Sequence, residues 1–285
     1  MDDRVTHAIG PRLRMRLPEL TARERAILVH LLENADQAGH ARITEIASRF
    51  CVSEALIVKL AKKLGYSGFK ALKTNLQLYG LSSTSDLFEE VRAEDQPADI
   101  LRKLFRVSIQ ALEETLAVID FDEFRRAVDV FARAAGRDIY GVGGSAAIAR
   151  DAAHKFLRIG IRCRVADDSH IMAMSASILH ASDVVLAISH SGRTSAIIDA
   201  VRLARERKAT VISLTSYAQS PLARETDICL VSTARSSPFT GENAAARIAQ
   251  LNILDALFVC VAFRDAQRSN ALLAQTMSAV ENKRR

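Results

Sequence analysis

The sequence predicts an α/β protein made of an all-α helix-turn-helix domain followed by a doubly wound, five-stranded parallel sheet. Before residue 80 the apolar periodicity is helical. After residue 135, five short apolar runs rich in β-branched residues alternate with stretches of helix length, which predicts a parallel sheet covered on both faces. A segment rich in Ser and acidic residues separates these parts. The predicted boundaries are 1–80 for the helix-turn-helix domain, 81–98 for the linker, and 99–285 for the sheet domain with its leading helices.

Composition limits the classes of protein to consider. The chain has 285 residues and is 49% apolar, enough to bury one large core or two smaller ones. No unbroken apolar run approaches the roughly 18–20 residues of a membrane span, and the first twenty residues lack a signal-peptide core. We therefore expect a cytoplasmic protein without a membrane partner. The cysteines have no CxxC spacing, which predicts reduced, mostly buried thiols and no metal or cofactor: Cys51, Cys163, Cys229 and Cys260.

Charge is concentrated at the N-terminal end. Residues 1–80 hold 13 Lys and Arg against 8 Asp and Glu, a net of +5, whereas the rest holds 26 against 25. A basic domain on a nearly neutral body indicates a polyanionic partner, although a well-solvated basic face has the same composition.

A helix-turn-helix is predicted over residues 43–64. One short helix runs from Ile43 to Phe50; Ser53 then caps a second helix, which ends at Gly65. The turn often has glycine where this chain has Cys51. That residue must either adopt a left-handed conformation, at a cost of about 1 kcal/mol, or form a different turn.

The second helix would enter the DNA major groove. The outward residues Ser53, Glu54, Ala55 and Lys59 are predicted to face the groove. Nearby basic residues are predicted to meet phosphates: Arg42, Lys62, Lys63 and Lys70. The alternative is an αα-hairpin with a lysine-rich solvent face.

Hydroxyl-rich turns follow three predicted strands. They are "GVGGS" at 141–145, "SHSGRT" at 189–194 and "TS" at 215–216. Ligands of parallel sheets bind beyond the carboxyl ends of the strands, where helix N-termini favour anions. Each turn alone is a common helix cap, but three at successive strand ends predict a cradle for a phosphorylated polyol.

Two nucleotide motifs fit the first turn poorly. No GK[ST] follows the glycines, so the turn is not a Walker A loop. Gly141 and Gly143 match the start of GxGxxG, but Ala146 stands at its last glycine. A dinucleotide site is disfavoured and remains open because Asp167 and Asp168 follow the second strand.

These segments resemble a known family. "GVGGSAAIARDAAHKFLRIG", "SHSGRTSAIIDAVRLA" and "LTSYAQSPLA" resemble the sugar isomerase (SIS) domain, a sugar-phosphate-binding module, and "SEALIVKLAKKLGYSGFKALK" resembles the helix-turn-helix of RpiR-type bacterial transcriptional regulators. The resemblance spans about residues 18–263 in the family's order.

The resemblance implies a regulator that binds operator DNA as a homodimer or homotetramer and senses a phosphosugar. The implied ligand contacts are Gly144, Ser145, Ser189, Ser191, Gly192, Thr194, Thr215, Ser216 and Glu242. Across the SIS superfamily, enzymes use an acid–base residue near the sugar, and Glu242, His154 or His170 could occupy that place. We predict ligand contact or a structural role for all three, and we expect Arg247 and Gln250 to support the pocket or an interface.

Two other functions remain open on the sequence. One is an aldose–ketose sugar-phosphate isomerase with a helical N-terminal appendage, which turnover of sugar phosphates would reveal. The other is a nucleotide-binding module, which would be stabilised by nucleotides and not by phosphosugars. The sequence does not identify the sugar or the direction of regulation.

Overall fold

The computed structural model describes residues 8–82, 91–233 and 244–281, together with residue 283. The chain divides into two compact units, Met1–Val118 and Ile119–Arg285. The predicted linker lies partly outside the described residues. The domain boundaries drawn from the sequence stay a prediction.

The first unit is helical throughout its described residues. A 3-10 turn at Leu17–Glu19 follows the first of its helices. The helices are α1 (Ile9–Met15), α2 (Ala22–Glu33), α3 (Ala35–His40), α4 (Ile43–Arg49), α5 (Glu54–Lys63), α6 (Phe69–Ser82) and α7 (Pro97–Val118).

The predicted helix-turn-helix is confirmed as α4 and α5. Ser53 caps α5, because its hydroxyl accepts a hydrogen bond from Leu56 N at 3.3 Å. Gly65 follows α5 with φ +94°, the left-handed conformation predicted for a helix end. One apolar core joins α2, α4, α5 and α6, and its most deeply buried side chains are Ile27, Leu28, Leu31, Ile57, Leu60, Leu72 and Leu76.

A long helix, α7, packs on α1 through polar side chains. Glu114 forms a buried ion pair with Arg14 and also accepts a hydrogen bond from Gln110 at 2.8 Å. Arg14 in turn donates to the Tyr79 hydroxyl of α6 at 3.2 Å. Helix α7 clusters with the first unit.

The second unit is a three-layer α/β/α sandwich. All five predicted strands are present, and a helix that begins at Phe121 precedes them. The elements are α8 (Phe121–Arg133), β1 (Arg137–Gly141), α9 (Gly144–Leu157), β2 (Arg164–Ala166), α10 (Ser169–Ser177), β3 (Val184–Ile188), α11 (Ser195–Glu206), β4 (Thr210–Thr215), α12 (Pro221–Arg224), β5 (Ile228–Val231), α13 (Ala244–Ala262), a 3-10 turn (Phe263–Asp265) and α14 (Ala266–Glu281).

The sheet is parallel, with strand order β2-β1-β3-β4-β5. Alternate residues of each strand point to opposite faces, and each face has its own core. On one face, Leu186 and Leu214 pack with α8, α9 and α13. On the other face, Val185 and Val211 pack with α10, α11 and α12. The predicted doubly wound fold is confirmed.

The C-terminal helices include the most apolar segment of the described chain. By length and composition alone, the stretch Ala244–Glu281 could cross a membrane, but 44% of its most apolar window is buried inside the structure. Leu254 and Leu257 of α13 lie in the core beside the sheet. A core helix of a globular domain has the same properties.

The cysteines are free, and the expectation that most are buried was wrong. Cys51 and Cys260 are exposed, whereas Cys163 and Cys229 are half-buried. Cys51 lies in a surface turn and Cys260 on the outward side of α13, where neither meets the core. Burial raises the pKa of the Cys163 thiol to about 12.

Candidate functional site

The strand order changes direction between β1 and β3, where the chain leaves the sheet toward opposite faces. Helix α9 follows β1 and packs on one face, and α11 follows β3 and packs on the other. Gly141 and Ile188, the last residues of the two strands, are register partners. In doubly wound sheets this point opens a crevice in which ligands bind.

The β1–α9 loop brings backbone close to this crevice. A Cβ at Gly141 would lie 2.7 Å from the carbonyl oxygen of Ser145, so only glycine allows the tight turn. Gly143 has φ +59° and is the N-cap of α9. A glycine N-cap gives the first-turn amides no side-chain partner, and Ser145 lies half-buried among them. The amides of Ser145 and Ala146 donate to the carbonyls of Val142 and Gly143 at 3.2 and 3.1 Å. This helix N-terminus favours an anion.

The β3–α11 loop is shaped by its own hydroxyls. Ser189 is buried; its Oγ lies 3.2 Å from Thr194 Oγ1 and accepts a hydrogen bond from Gly192 N at 3.2 Å. Ser191 Oγ accepts from Arg193 N at 3.2 Å. Thr194 is the N-cap of α11, and its side chain makes no capping bond to that helix. Hydroxyls engaged in this way keep further capacity for a ligand, since each has one donor and two acceptor positions.

Position 192 requires glycine both because of its backbone conformation and because there is no room for a side chain. Its φ is +61°, and a Cβ there would lie 2.2 Å from Ser220 Oγ. Its carbonyl accepts a hydrogen bond from Leu222 N at 3.0 Å, which joins the β3–α11 loop to α12.

The hydroxyls at the end of β4 hold the neighbouring loop. Thr215 Oγ1 donates to the carbonyl of His190 at 3.1 Å, and Ser216 Oγ lies 2.8 Å from His190 Nδ1. Ser216 also lies 3.2 Å from Ser232 Oγ, which accepts from Gln250 Nε2 at 3.2 Å. Both β4 hydroxyls are buried, so their observed role is to support the β3–α11 loop; their contact with a ligand stays a prediction.

Arg247 lies at the crevice, although the sequence predicted for it only a supporting role and no ligand contact. Its guanidinium lies beside the first residue of α9, because a Cβ on Gly144 would fall 2.8 Å from Arg247 Nη2. It adds a positive charge beside the amides and hydroxyls of the crevice. No spacing rule in the sequence joins a residue of α13 to the β1–α9 loop. Glu242 lies outside the described residues.

Helix α5 presents a polar face to solvent. Ile57, Leu60 and Ala61 are buried against the rest of the unit. The predicted groove-facing residues are all exposed, as are three of the predicted phosphate contacts: Ser53, Glu54, Ala55, Lys59, Arg42, Lys62 and Lys70.

Lys63 has a partner inside its own unit. Its ammonium lies 2.8 Å from Glu24 Oε2 of α2, and the side chain is half-buried. The pair ties the last turn of α5 to α2. The DNA contact predicted for Lys63 stays a prediction.

The turn between α4 and α5 takes the left-handed conformation. Cys51 has φ +50°. Its N–H donates to the Ser48 carbonyl at 3.1 Å, and the next N–H, of Val52, donates to the Ala47 carbonyl at 2.9 Å. This is a Schellman ending of α4 with cysteine in the position that usually holds glycine.

A helix-turn-helix unit and an α/β unit with an anion-suited crevice define a class: transcription regulators that respond to a small ligand. Comparison with known proteins agrees with that class. The sequence model described as "Helix-turn-helix domain, rpiR family" matches residues 8–82, and the SIS domain matches residues 131–260.

Relatives match along nearly the whole chain. HTH-type transcriptional regulator RpiR of Escherichia coli strain K12 is 40% identical over 282 residues, 98% of this chain and 95% of that protein. HTH-type transcriptional regulator HexR of Pseudomonas aeruginosa is 33% identical over 252 residues, 88% of each chain. The chain belongs to the RpiR family of helix-turn-helix transcriptional regulators. It is therefore a regulator rather than an enzyme, and the isomerase alternative is not favoured.

A solved structure matches the chain in sequence and fold. Vibrio vulnificus NanR, complexed with ManNAc-6P, is 28% identical to this chain. The match has a TM-score of 0.61 and covers 96% of this chain and 98% of NanR.

Proposed function

We propose that this regulator binds operator DNA through α5, binds a phosphorylated sugar in the crevice between β1 and β3, and changes its operator affinity when the sugar is bound. It acts in the cytoplasm as a homodimer or homotetramer. One observation carries the proposal. The helices α9 and α11 both begin at the point where the strand order reverses, and neither has a side-chain hydrogen bond capping its N-terminus.

The chemistry of the crevice supports a phosphosugar. First-turn amides and the Arg247 guanidinium suit a phosphate dianion, because charge-assisted hydrogen bonds to phosphate are the stronger kind. The hydroxyls of Ser145, Ser189 and Ser191 can both donate and accept, as sugar hydroxyls do. NanR, which matches 96% of this chain, is complexed with the phosphosugar ManNAc-6P in its structure.

Ligand binding is tested by a thermal-shift screen of the purified protein. The probes are a panel of sugar phosphates, the matching free sugars and inorganic phosphate. A ligand at a hundredfold excess over its Kd stabilises the folded state by about 2.7 kcal/mol, which raises the melting temperature measurably. We expect a response to one or more sugar phosphates that exceeds the response to phosphate.

Site variants assign the response to the crevice. Ser145→Ala and Ser191→Ala should weaken the binding of the phosphosugar identified in the screen. Ser278→Ala, an exposed serine of α14, is the matched control. Binding unchanged in both crevice variants would show that the ligand occupies another site.

DNA binding is tested on the DNA flanking the protein's own gene. Lys59→Ala should weaken the complex in a gel shift and reduce the steepness of its salt dependence, since one positive charge is removed from the surface that faces the DNA. Arg162→Ala removes one exposed positive charge from the second unit and should have little effect. Equal losses in both variants would indicate a general charge effect and remove α5 from the interface.

A further inference from the structure

The long helix α7 exposes an apolar stripe. Leu101, Phe105, Ile109 and Leu116 are 59%, 64%, 54% and 60% exposed, and Leu112 between them is half-buried. At 100° per residue these five side chains fall on one side of the helix. Contiguous exposed apolar surface of this kind marks an interaction site.

The opposite side of α7 is the one buried in the structure. Lys103, Ala111 and Glu114 are each less than a tenth exposed; Thr115, which flanks the stripe, is buried as well. Glu114 pairs with Arg14 of α1, and Lys103 forms an ion pair with Asp95 at 2.7 Å. The helix thus turns its polar residues toward its own unit and its apolar residues outward, the reverse of a surface helix.

The stripe has the spacing of a coiled-coil seam. Phe105, Ile109, Leu112 and Leu116 are separated by four, three and four residues, so they occupy d, a, d and a positions of two heptads. In this register Lys103, Ala111 and Glu114 take b, c and f positions, the side facing away from a coiled-coil partner. The buried and exposed faces of α7 match the two sides of one strand of a coiled coil.

We propose that the stripe pairs with the same stripe of a second copy of this chain, with the two α7 helices antiparallel. The inference deepens the self-association contained in the proposed function and rests on it. In this pairing Phe105 packs on the partner's Leu116, and Ile109 on the partner's Leu112. Such a contact is self-complementary about a twofold axis, as a dimer requires.

Charge selects the antiparallel orientation. Arg106 and Glu113 both hold the e position, beside the seam, and both are exposed. When the helices run antiparallel, Arg106 lies next to the partner's Glu113, and the twofold axis repeats the pair. A parallel pairing would instead set e positions against g positions, which here are Leu101, Ser108 and Thr115 and carry no charge.

Charge exchange tests the pairing in the full-length protein by sedimentation velocity over a range of concentrations. Arg106→Glu and Glu113→Arg each create two like-charge contacts and should weaken self-association about tenfold or more. The double variant restores opposite charges and should restore association. Arg23→Glu, an exposed position on α2, is the control and should leave association unchanged. Melting curves check that each variant folds.

Crosslinking tests the geometry independently. In Arg106→Lys, a zero-length carbodiimide should join position 106 to the partner's Glu113 and give a covalent dimer on a denaturing gel. A link within one chain would leave the band at the mass of the monomer, so only a link between two chains gives the dimer band. Arg106→Ala has no amine at this position and should give no covalent link between position 106 and the partner's Glu113.

Specific results would overturn the pairing. They are a double variant as weak as the single ones, single variants that associate normally, or an associated protein without the 106–113 crosslink. A chain that stays monomeric also overturns it, together with the proposed oligomer. Phosphosugar stabilisation and the Lys59 effect on DNA are measured separately, so a failure of α7 pairing is distinguishable from a failure of the proposed function.

Discussion

Cys51 stands at the one turn position of the helix-turn-helix where a side chain is conformationally costly. Its φ of +50° lies in the left-handed region, where a Cβ meets the neighbouring backbone. From the sequence, Cys51 could take either this conformation or a different turn, and in the structure it takes the first. The Schellman hydrogen bonds of Cys51 and Val52 hold the residue there.

Replacing this residue by glycine should stabilise the first unit. We expect Cys51→Gly to raise the free energy of unfolding by about 0.5–1 kcal/mol, because glycine adopts left-handed φ at no steric cost. Urea unfolding followed by circular dichroism measures the midpoint. Cys51→Ala keeps the Cβ and serves as control; a gain as large as that of glycine would mean that the turn stores no strain.

Glu24 performs two structural tasks at once. It completes the capping box of α2 with Thr21, and it accepts the ammonium of Lys63. The hydrogen bond from Lys63, together with those from Thr21, holds the pKa of this carboxyl below its usual range. A carboxyl with a lowered pKa stabilises the folded state above its ordinary pKa. That contribution is lost as the pH falls through the lowered value.

The variant Glu24→Gln isolates this charge, since glutamine also fits a capping box. At pH 7 we expect a loss of about 0.5–1 kcal/mol, given that the Lys63 side chain is partly screened by solvent. The difference from the wild type should shrink as the pH falls below about 4, the ordinary pKa of a glutamate, and should vanish below the lowered pKa of the folded-state carboxyl. Glu33→Gln, on the exposed side of the same helix, should show little difference at either pH.

At the scale of elements, the two loops at the switch point use their polar groups differently. Most of the hydroxyl groups that follow β3 and β4 form hydrogen bonds that hold the β3–α11 loop in shape: those of Ser189, Thr194, Thr215 and Ser216. The β1–α9 loop instead offers backbone and Ser145, and α13 adds Arg247 beside it. The affinity for the phosphate group of the ligand should therefore depend strongly on the side of the crevice that α9 and α13 form.

This division predicts a large effect at Arg247. Arg247→Ala should weaken phosphosugar binding about ten- to hundredfold, because a hydrogen bond to a charged group contributes roughly 1.5–3 kcal/mol. Arg247→Lys should recover part of the loss by restoring the charge without the guanidinium geometry. Isothermal titration calorimetry gives the Kd, with Arg162→Ala as the charge-matched control. Wild-type affinity in Arg247→Ala would exclude its guanidinium from the phosphate site.

At the scale of the whole molecule, regulation requires that two sites on different units share one equilibrium. If the phosphosugar changes operator affinity by some factor, then operator DNA must change phosphosugar affinity by the same factor, because the coupling free energy is reciprocal. We expect a factor of roughly 5–150, the usual range for such coupling.

Both factors are measurable with one protein preparation. Fluorescence anisotropy gives operator Kd with and without saturating phosphosugar, and calorimetry gives phosphosugar Kd with and without an operator duplex. Two equal factors would establish coupling through the regulator. A phosphosugar that binds tightly and leaves operator affinity unchanged would remove the sensing role and leave DNA binding intact.

Taken by itself, the sequence determined what is local. Apolar periodicity and strand-length runs fixed the helix-turn-helix and the five strands, and Ser53 and Gly65 marked the ends of α5, because caps and periodicity act within a few residues. The tertiary structure decided the strand order that makes the loops after β1 and β3 neighbours, the pairing of Lys63 with Glu24 and the approach of Arg247 to Gly144. It also decided which side of α7 is exposed. These are contacts between residues distant in the chain, and only the packing of complete elements brings them together.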